Sequence, residues 1–205
     1  MIKAIIFDFG GVLVRTEDHG PRHAWDERLG LPTGSVERVV HYSDLWVQAQ
    51  LGRVLPRQYW AGVAEMLYMR DLSLLPDLKR DYFSGDRLNY RLVELLGNLR
   101  ERGLALALLS NDSVELEARL RELELEPMFD HILISAQIGV MKPDTTAYRV
   151  TLQRLGVAPH EAVFIDDSLT NVRGAQNLGI HAIHCRPETD VRAELDALLA
   201  GADGS

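Results

Sequence analysis

The stretch Ile-Lys-Ala-Ile-Ile-Phe-Asp-Phe-Gly-Gly-Val-Leu-Val, residues 2–14, constrains the fold more than any other part of the chain. Ile2 to Phe7 is an apolar run with β-branched residues, interrupted only by Lys3, and it reads as a buried strand. Asp8 ends the run, and Gly10 and Gly11 lie just beyond it. A carboxylate at the carboxyl end of a buried strand stands where open α/β sheets bind ligands. For Asp8 alone, a strand-ending residue that caps its turn is the plainer reading. Three later segments change that balance.

After residue 86 the chain alternates strands and helices. Leu104–Leu109, His131–Ile134, Ala162–Ile165 and Ile180–His184 read as strands, and Leu88–Arg102, Leu116–Leu123, Thr145–Leu155 and Leu169–Leu178 as helices. With the opening run this predicts an α/β fold, a doubly wound, mainly parallel, five-stranded Rossmann-like sheet with right-handed crossovers. Residues 1–15 and 87–205 form that core, and 16–86 form a small α-helical unit inserted into it. Within the insert, helices are expected over His23–Leu29, from Ser35 as cap to Leu51, from Pro56 to Arg70, and from near Pro76. The stripe Tyr59, Trp60, Val63, Met66, Leu67 reads as packing within this unit rather than as a pocket wall. The tail after Leu199 is expected to fray.

The 205 residues are 46% hydrophobic and 25% charged, enough for one well-filled core with an accessory lobe. The net charge of −8, without a block of lysine and arginine, argues against nucleic acid as a partner. One cysteine, Cys185, excludes an intrachain disulfide and fits a reducing compartment. The opening run is too short for a signal peptide, and no run reaches the length of a membrane span, so a soluble cytoplasmic protein without membrane contact is expected.

Three later segments carry chemistry at strand ends. Ser110-Asn111-Asp112 offers a hydroxyl and an amide before a helix, either a phosphate cradle or a helix cap. Lys142-Pro143 places a lysine on extended backbone that delays the next helix. Asp166-Asp167 puts two carboxylates together after a wholly apolar strand, an arrangement suited to Mg²⁺, which binds through one or two carboxylates plus substrate phosphate. Asn171, one turn on, is placed to orient Asp167 or to bind a metal-bound water. The charges balance, since three carboxylates are matched by one lysine and one divalent cation. Without the cation, three converging carboxylates would repel one another and some would protonate.

The ordered set Phe7-Asp8 with Gly11-Val12-Leu13, Ser110-Asn111, Lys142-Pro143-Asp144, and Asp166-Asp167 with Asn171 resembles the haloacid dehalogenase superfamily. The resemblance covers essentially the whole chain, with the helical insert in the place of that family's cap. It is closest to phosphatases such as sugar-phosphate phosphatases and the amino-terminal domain of soluble epoxide hydrolases. It implies that Asp8 is the nucleophile forming an aspartyl-phosphate, that Ser110 and Asn111 hold the phosphoryl group, and that Lys142 stabilises both nucleophile and phosphate. It further implies Mg²⁺ held by Asp8, the backbone carbonyl of Gly10, Asp166 and Asp167, a first strand between the second and fourth core strands, and a small phosphorylated metabolite as substrate. The protein is expected to act as a monomer or homodimer.

One departure from the family pattern is Gly10, where most of its phosphatases carry a second aspartate as general acid and base. Such help is worth about 10²–10⁴-fold in rate, so slow turnover or restriction to good leaving groups is expected. The loop Glu17-Asp18-His19 offers a stand-in proton carrier, although a solvated hinge is the preferred reading of it. Two alternatives remain open: a 2-haloacid dehalogenase, which needs no metal, and a phospho-ligand-binding protein that does not turn its ligand over. Arg22, His23, Tyr42, Trp46 and Arg53 are the insert's candidates for substrate contact.

Overall fold

The computed structural model describes residues 1–201 of the chain. Residues 202–205 of the tail expected to fray lie outside the described residues, while Ala200 and Gly201 close a helix. In chain order the elements are β1 (Ala4–Phe7), β2 (Val14–Thr16), α1 (Gly20–Leu29), α2 (Ser35–Tyr42), α3 (Asp44–Gln50), α4 (Pro56–Met66), α5 (Leu75–Ser84), β3 (Asp86–Leu88) and α6 (Tyr90–Glu101). There follow β4 (Ala105–Ser110), α7 (Leu116–Glu122), β5 (His131–Ile134), α8 (Ser135–Ile138), α9 (Thr145–Leu155), β6 (Ala162–Asp166), α10 (Leu169–Asn177), β7 (His181–His184) and α11 (Val191–Gly201).

β1 is the centre of a parallel sheet in the order β5-β4-β1-β6-β7, with Phe7 opposite Leu108 on one side and Ile165 on the other. All four residues of β1 are buried, which is why it carries no alternation of polar and apolar side chains. Its two faces feed two cores. Ile5 and Phe7 join Leu96, Leu99 and Leu195 on one side, and Ile6 joins Tyr148 and Leu152 on the other. Because β4, β1 and β6 run parallel and in register, Ser110, Asp8 and Asp167 emerge at one edge of the sheet.

The helical insert has a core of its own, built on Trp25, Val36, Val40, Tyr59, Trp60, Val63, Leu67, Leu78 and Tyr82. The expected continuous helix from Ser35 to Leu51 is two helices. Ser43 leaves helical geometry at φ −87° and ψ 157°, and its hydroxyl accepts the Trp46 N–H at 3.2 Å, capping α3. Ser35 is no cap, because α2 starts from Gly34 in the left-handed region at φ 83°. The helix expected to reach Arg70 stops at Met66. Met66 is also exposed, so that end of the apolar stripe does not pack.

A short antiparallel ribbon, β2 against β3, joins the insert to the sheet and escaped the sequence reading. Each of its strands has only three residues, and they mix polar with apolar side chains, too short a pattern to register. Among the described residues no helix is long and apolar enough to cross a membrane.

Candidate active site

β1 delivers Asp8 to the sheet edge almost fully buried. One carboxylate oxygen, Oδ1, accepts the Phe9 N–H at 2.7 Å and lies 2.8 Å from Lys142 Nζ, while Oδ2 has no hydrogen-bond partner among the described residues. Lys142 Nζ also lies 2.7 Å from Asp166 Oδ2. Asp166 is fully buried and its oxygens are all engaged, accepting from Lys142, from the Ser168 N–H at 2.7 Å and from the Asn171 amide at 3.1 Å. Asn171 therefore holds Asp166, where Asp167 was the expected partner.

One ammonium stands between two buried carboxylates, and this sets the electrostatics. Burial pushes Asp8 up to about 7 against the pull of Lys142, and Asp166 adds to the rise. Burial works against the Lys142 charge, but the carboxylates of Asp8 and Asp166 outweigh it and hold its pKa above the usual lysine value. Asp167 is more exposed, yet burial and Asp166 also raise it.

A divalent cation fits this donor set. Asp8, Asp166 and Asp167 bring carboxylate oxygens within 4.8 Å of one another, against the single charge of Lys142, and Asp166 is the one of the three whose oxygens are already engaged. Asp8 Oδ2 and the Gly10 carbonyl are free of hydrogen bonds among the described residues. Hard oxygen donors of this number suit Mg²⁺.

Ser110 is buried at the end of β4, and its hydroxyl lines the adjacent cavity with no protein partner among the described residues. Asn111 is committed differently. Its Nδ2 donates to the Lys142 carbonyl and its Oδ1 accepts the Lys142 N–H, both at 2.8 Å, so its amide fixes the backbone that carries the lysine. One amide N–H and the cavity side of the residue remain for a ligand.

The helical insert sits over these residues, and a cavity of about 1140 Å³ lies between the two. Gln50 donates to the Asn111 carbonyl at 2.8 Å, and the Ser135 hydroxyl donates to the Gln50 carbonyl at 2.7 Å. Asp86, at the start of β3, pairs with Arg22 of the insert at 3.1 Å and with Arg119 of α7 at 2.6 Å. Glu115 takes the Trp60 indole N–H at 2.8 Å and pairs with Lys79.

The insert's five candidates divide. Arg22, Tyr42 and Trp46 line the cavity, while His23 and Arg53 do not. His23 stacks on His19 at 6.1 Å and Arg53 bonds Gln48 at 3.3 Å. Glu17, Asp18 and His19 also lie off the cavity. The Glu17 and Asp18 N–H groups donate to the Gly85 carbonyl. Gln50, Asp86 and Arg119 were missed, because nothing in local spacing links them to Asp8, and Asp112 was named at its strand end without a role.

The sequence profile of the haloacid dehalogenase-like hydrolases matches residues 2–179. The chain belongs to that family. As a haloacid dehalogenase-like hydrolase it is similar to phosphoserine phosphatase of Thermus thermophilus, 41% identical over 176 residues, covering 80% of this chain and 68% of that protein. It is also similar to the sesquiterpene phosphatase AstK of Aspergillus oryzae, 27% identical over 198 residues and covering 96% of both. Two other curated relatives are much longer, and the chain spans only 19% and 21% of them. Among solved structures, a haloacid dehalogenase-family enzyme of Bacteroides thetaiotaomicron, in complex with magnesium and inorganic phosphate, superposes with a TM-score of 0.79 at 22% identity. It covers 95% of this hydrolase and 99% of that chain, a likeness of fold.

Proposed function

We propose that this hydrolase is a Mg²⁺-dependent phosphatase that cleaves a small phosphorylated metabolite through a phosphoryl group carried on Asp8. The observation behind the reading is the gathering of three carboxylates within 4.8 Å, beneath one lysine and beside an unpartnered serine hydroxyl. Phosphatases among its relatives support it.

A carboxylate oxygen of Asp8 attacks phosphorus, and the bond from phosphorus to the ester oxygen breaks with its electron pair staying on that oxygen, which takes a proton from water as the alcohol leaves. Water then attacks the same phosphorus, the bond to Asp8 breaks, and inorganic phosphate leaves. Lys142 neutralises Asp8 before substrate arrives and remains beside the phosphoryl oxygens, while Ser110 donates its hydroxyl to one of them. Asp8, Asp167 and the Gly10 carbonyl would hold Mg²⁺, which would set positive charge against the transferring group. Asp166, with its oxygens occupied, serves by holding Lys142. Residues 16–86 act as a cap on a core of 1–15 and 87–205, closing water out through the Gln50, Asp86 and Glu115 contacts.

The test is phosphate release from para-nitrophenyl phosphate with Mg²⁺, with EDTA, and with Asp8→Asn. Loss of turnover in both controls is expected. A haloacid dehalogenase acting through Asp8 would leave Asp167 without a task, and chloride release from a 2-haloacid in EDTA would replace the phosphatase reading.

A further inference from the structure

The cavity above Asp8 is larger than a compact phosphorylated metabolite requires. Pockets that bury drug-sized ligands run about 300–1,000 Å³, and this one, at about 1140 Å³, exceeds that range. Its far wall is built by the helical insert from Val40, His41, Trp46, Tyr59, Trp60 and Phe83. These rings pack on one another, with Trp46 5.5 Å from Tyr59, Tyr59 5.2 Å from Trp60, and His41 5.3 Å from Trp46. His41, Trp46 and Phe83 keep part of their surface open to the cavity, with Val40, Tyr59 and Trp60 buried behind them.

The charged side chains that the insert brings to the cavity are held in ion pairs, Arg80 with Asp77 and Asp81 outside it. Arg22 pairs with Glu37 at 2.6 Å and with Asp86, Arg119 pairs with Asp86, and Lys79 pairs with Glu115. The Arg119 guanidinium also lies over the rings of Phe9 and Phe83, at 5.4 and 4.9 Å. Burial lowers His41 to about 4, so it is uncharged at neutral pH. Arg15, on the opposite rim, is turned to the Gly11 carbonyl at 2.6 Å and to Cys185. A leaving group carrying an ammonium or a carboxylate would find no unspent counter-charge on the insert's wall and would have to break an existing pair.

Building on the phosphatase reading, we infer that the substrate is a monophosphate ester of a bulky, uncharged, apolar alcohol, whose hydrocarbon part fills the aromatic chamber of the insert. A phosphorylated amino acid, despite the phosphoserine phosphatase among the relatives, is a poor match to this wall.

Two series hold leaving-group acidity nearly constant while apolar size grows: propyl, hexyl and decyl phosphate, and phenyl against 2-naphthyl phosphate. Binding is measured calorimetrically on the Asp8→Asn protein with Mg²⁺, below the micelle threshold, and needs no turnover. Turnover is measured in parallel on the parent protein. Affinity and kcat/KM are expected to rise along each series, by up to about fourfold for each methylene fully buried, with O-phosphoserine below propyl phosphate. Trp46→Ala and Phe83→Leu, two half-buried wall positions, should each flatten the series, weakening decyl phosphate more than propyl phosphate. Flat affinities, or O-phosphoserine binding as tightly as decyl phosphate, overturn the inference. Rising affinities with no turnover of any ester uphold the chamber and reject the phosphatase instead.

Discussion

Gly11 and Asp167 are in contact so close that no side chain fits between them. A Cβ on Gly11 would lie 2.1 Å from Asp167 Oδ2, and Gly11 itself sits at φ +77°, in the left-handed region. The loop after β1 and the loop after β6 thus fit together at this glycine, and Asp167 is aimed by the surface it rests on. Gly11→Ala has to move either the Asp167 carboxylate or the Asp8 loop. Displacing a catalytic group by about 1 Å costs on the order of 10²-fold in rate. The expected result is a loss of that size in turnover of para-nitrophenyl phosphate, together with weaker Mg²⁺ dependence. Full activity in the variant would mean that Asp167 is not positioned by this contact.

Lys142 is the single buried cation between Asp8 and Asp166, so removing it leaves two carboxylates facing each other. Breaking a buried pair of this kind costs roughly 3–5 kcal/mol. Lys142→Met should therefore lose stability of that order in metal-free protein as well as activity. Adding Asp8→Asn removes one of the stranded charges, and the double variant should be more stable than Lys142→Met alone. Strictly additive losses in urea titrations would show that the three groups are not coupled.

His41 supplies a pH dependence that does not involve the reaction. It sits against Tyr82, with the hydroxyl 2.9 Å from Nδ1, and burial lowers its pKa from 6.5 to about 4. A group whose folded pKa is depressed gives stability that is fully present above the unfolded pKa and is lost as pH falls through the folded one. The parent protein should therefore lose stability between pH 6.5 and 4 in part through this residue. His41→Asn lacks that titration, so the gap in Tm between parent and variant should narrow by several degrees on acidification. A gap constant across that window would rule out a buried neutral His41.

Much of this site was legible because apolar strands ending in charged residues are a strong pattern, and a parallel sheet brings such ends to one edge. β1, β4 and β6 followed from apolar runs, Asp8, Ser110 and Asp167 from what ends or follows them, and Lys142 from the proline after it. The helix break at Ser43 was hidden by apolar residues on both sides, although Ser-Asp is a good helix start. Asn171 could be placed one turn beyond the aspartate pair, but whether it faced Asp166 or Asp167 depended on backbone geometry after β6. Arg119 and Asp86 meet across 33 residues of sequence, a long-range pairing that no local pattern encodes.

Gly10 stands where the family resemblance implies a second aspartate, and the structure leaves room for one. A Cβ built on Gly10 meets nothing within 4 Å, and its φ is not in the left-handed region, so a side chain can be added without strain. Gly10→Asp should place a carboxylic acid beside the cavity, two residues from the nucleophile, able to protonate a departing alkoxide and later to activate water. Since general acid–base help is worth about 10²–10⁴-fold, turnover of alkyl phosphates should rise by up to that factor. Para-nitrophenyl phosphate, whose phenolate needs little protonation, should gain much less. Gly10→Ala is the control for added bulk and should match the parent on both substrates. If Gly10→Asp leaves alkyl phosphate turnover where it was, proton transfer is already supplied from elsewhere in the cavity, and Asp112, which lines the cavity and is raised by burial to about 7, becomes the residue to replace next.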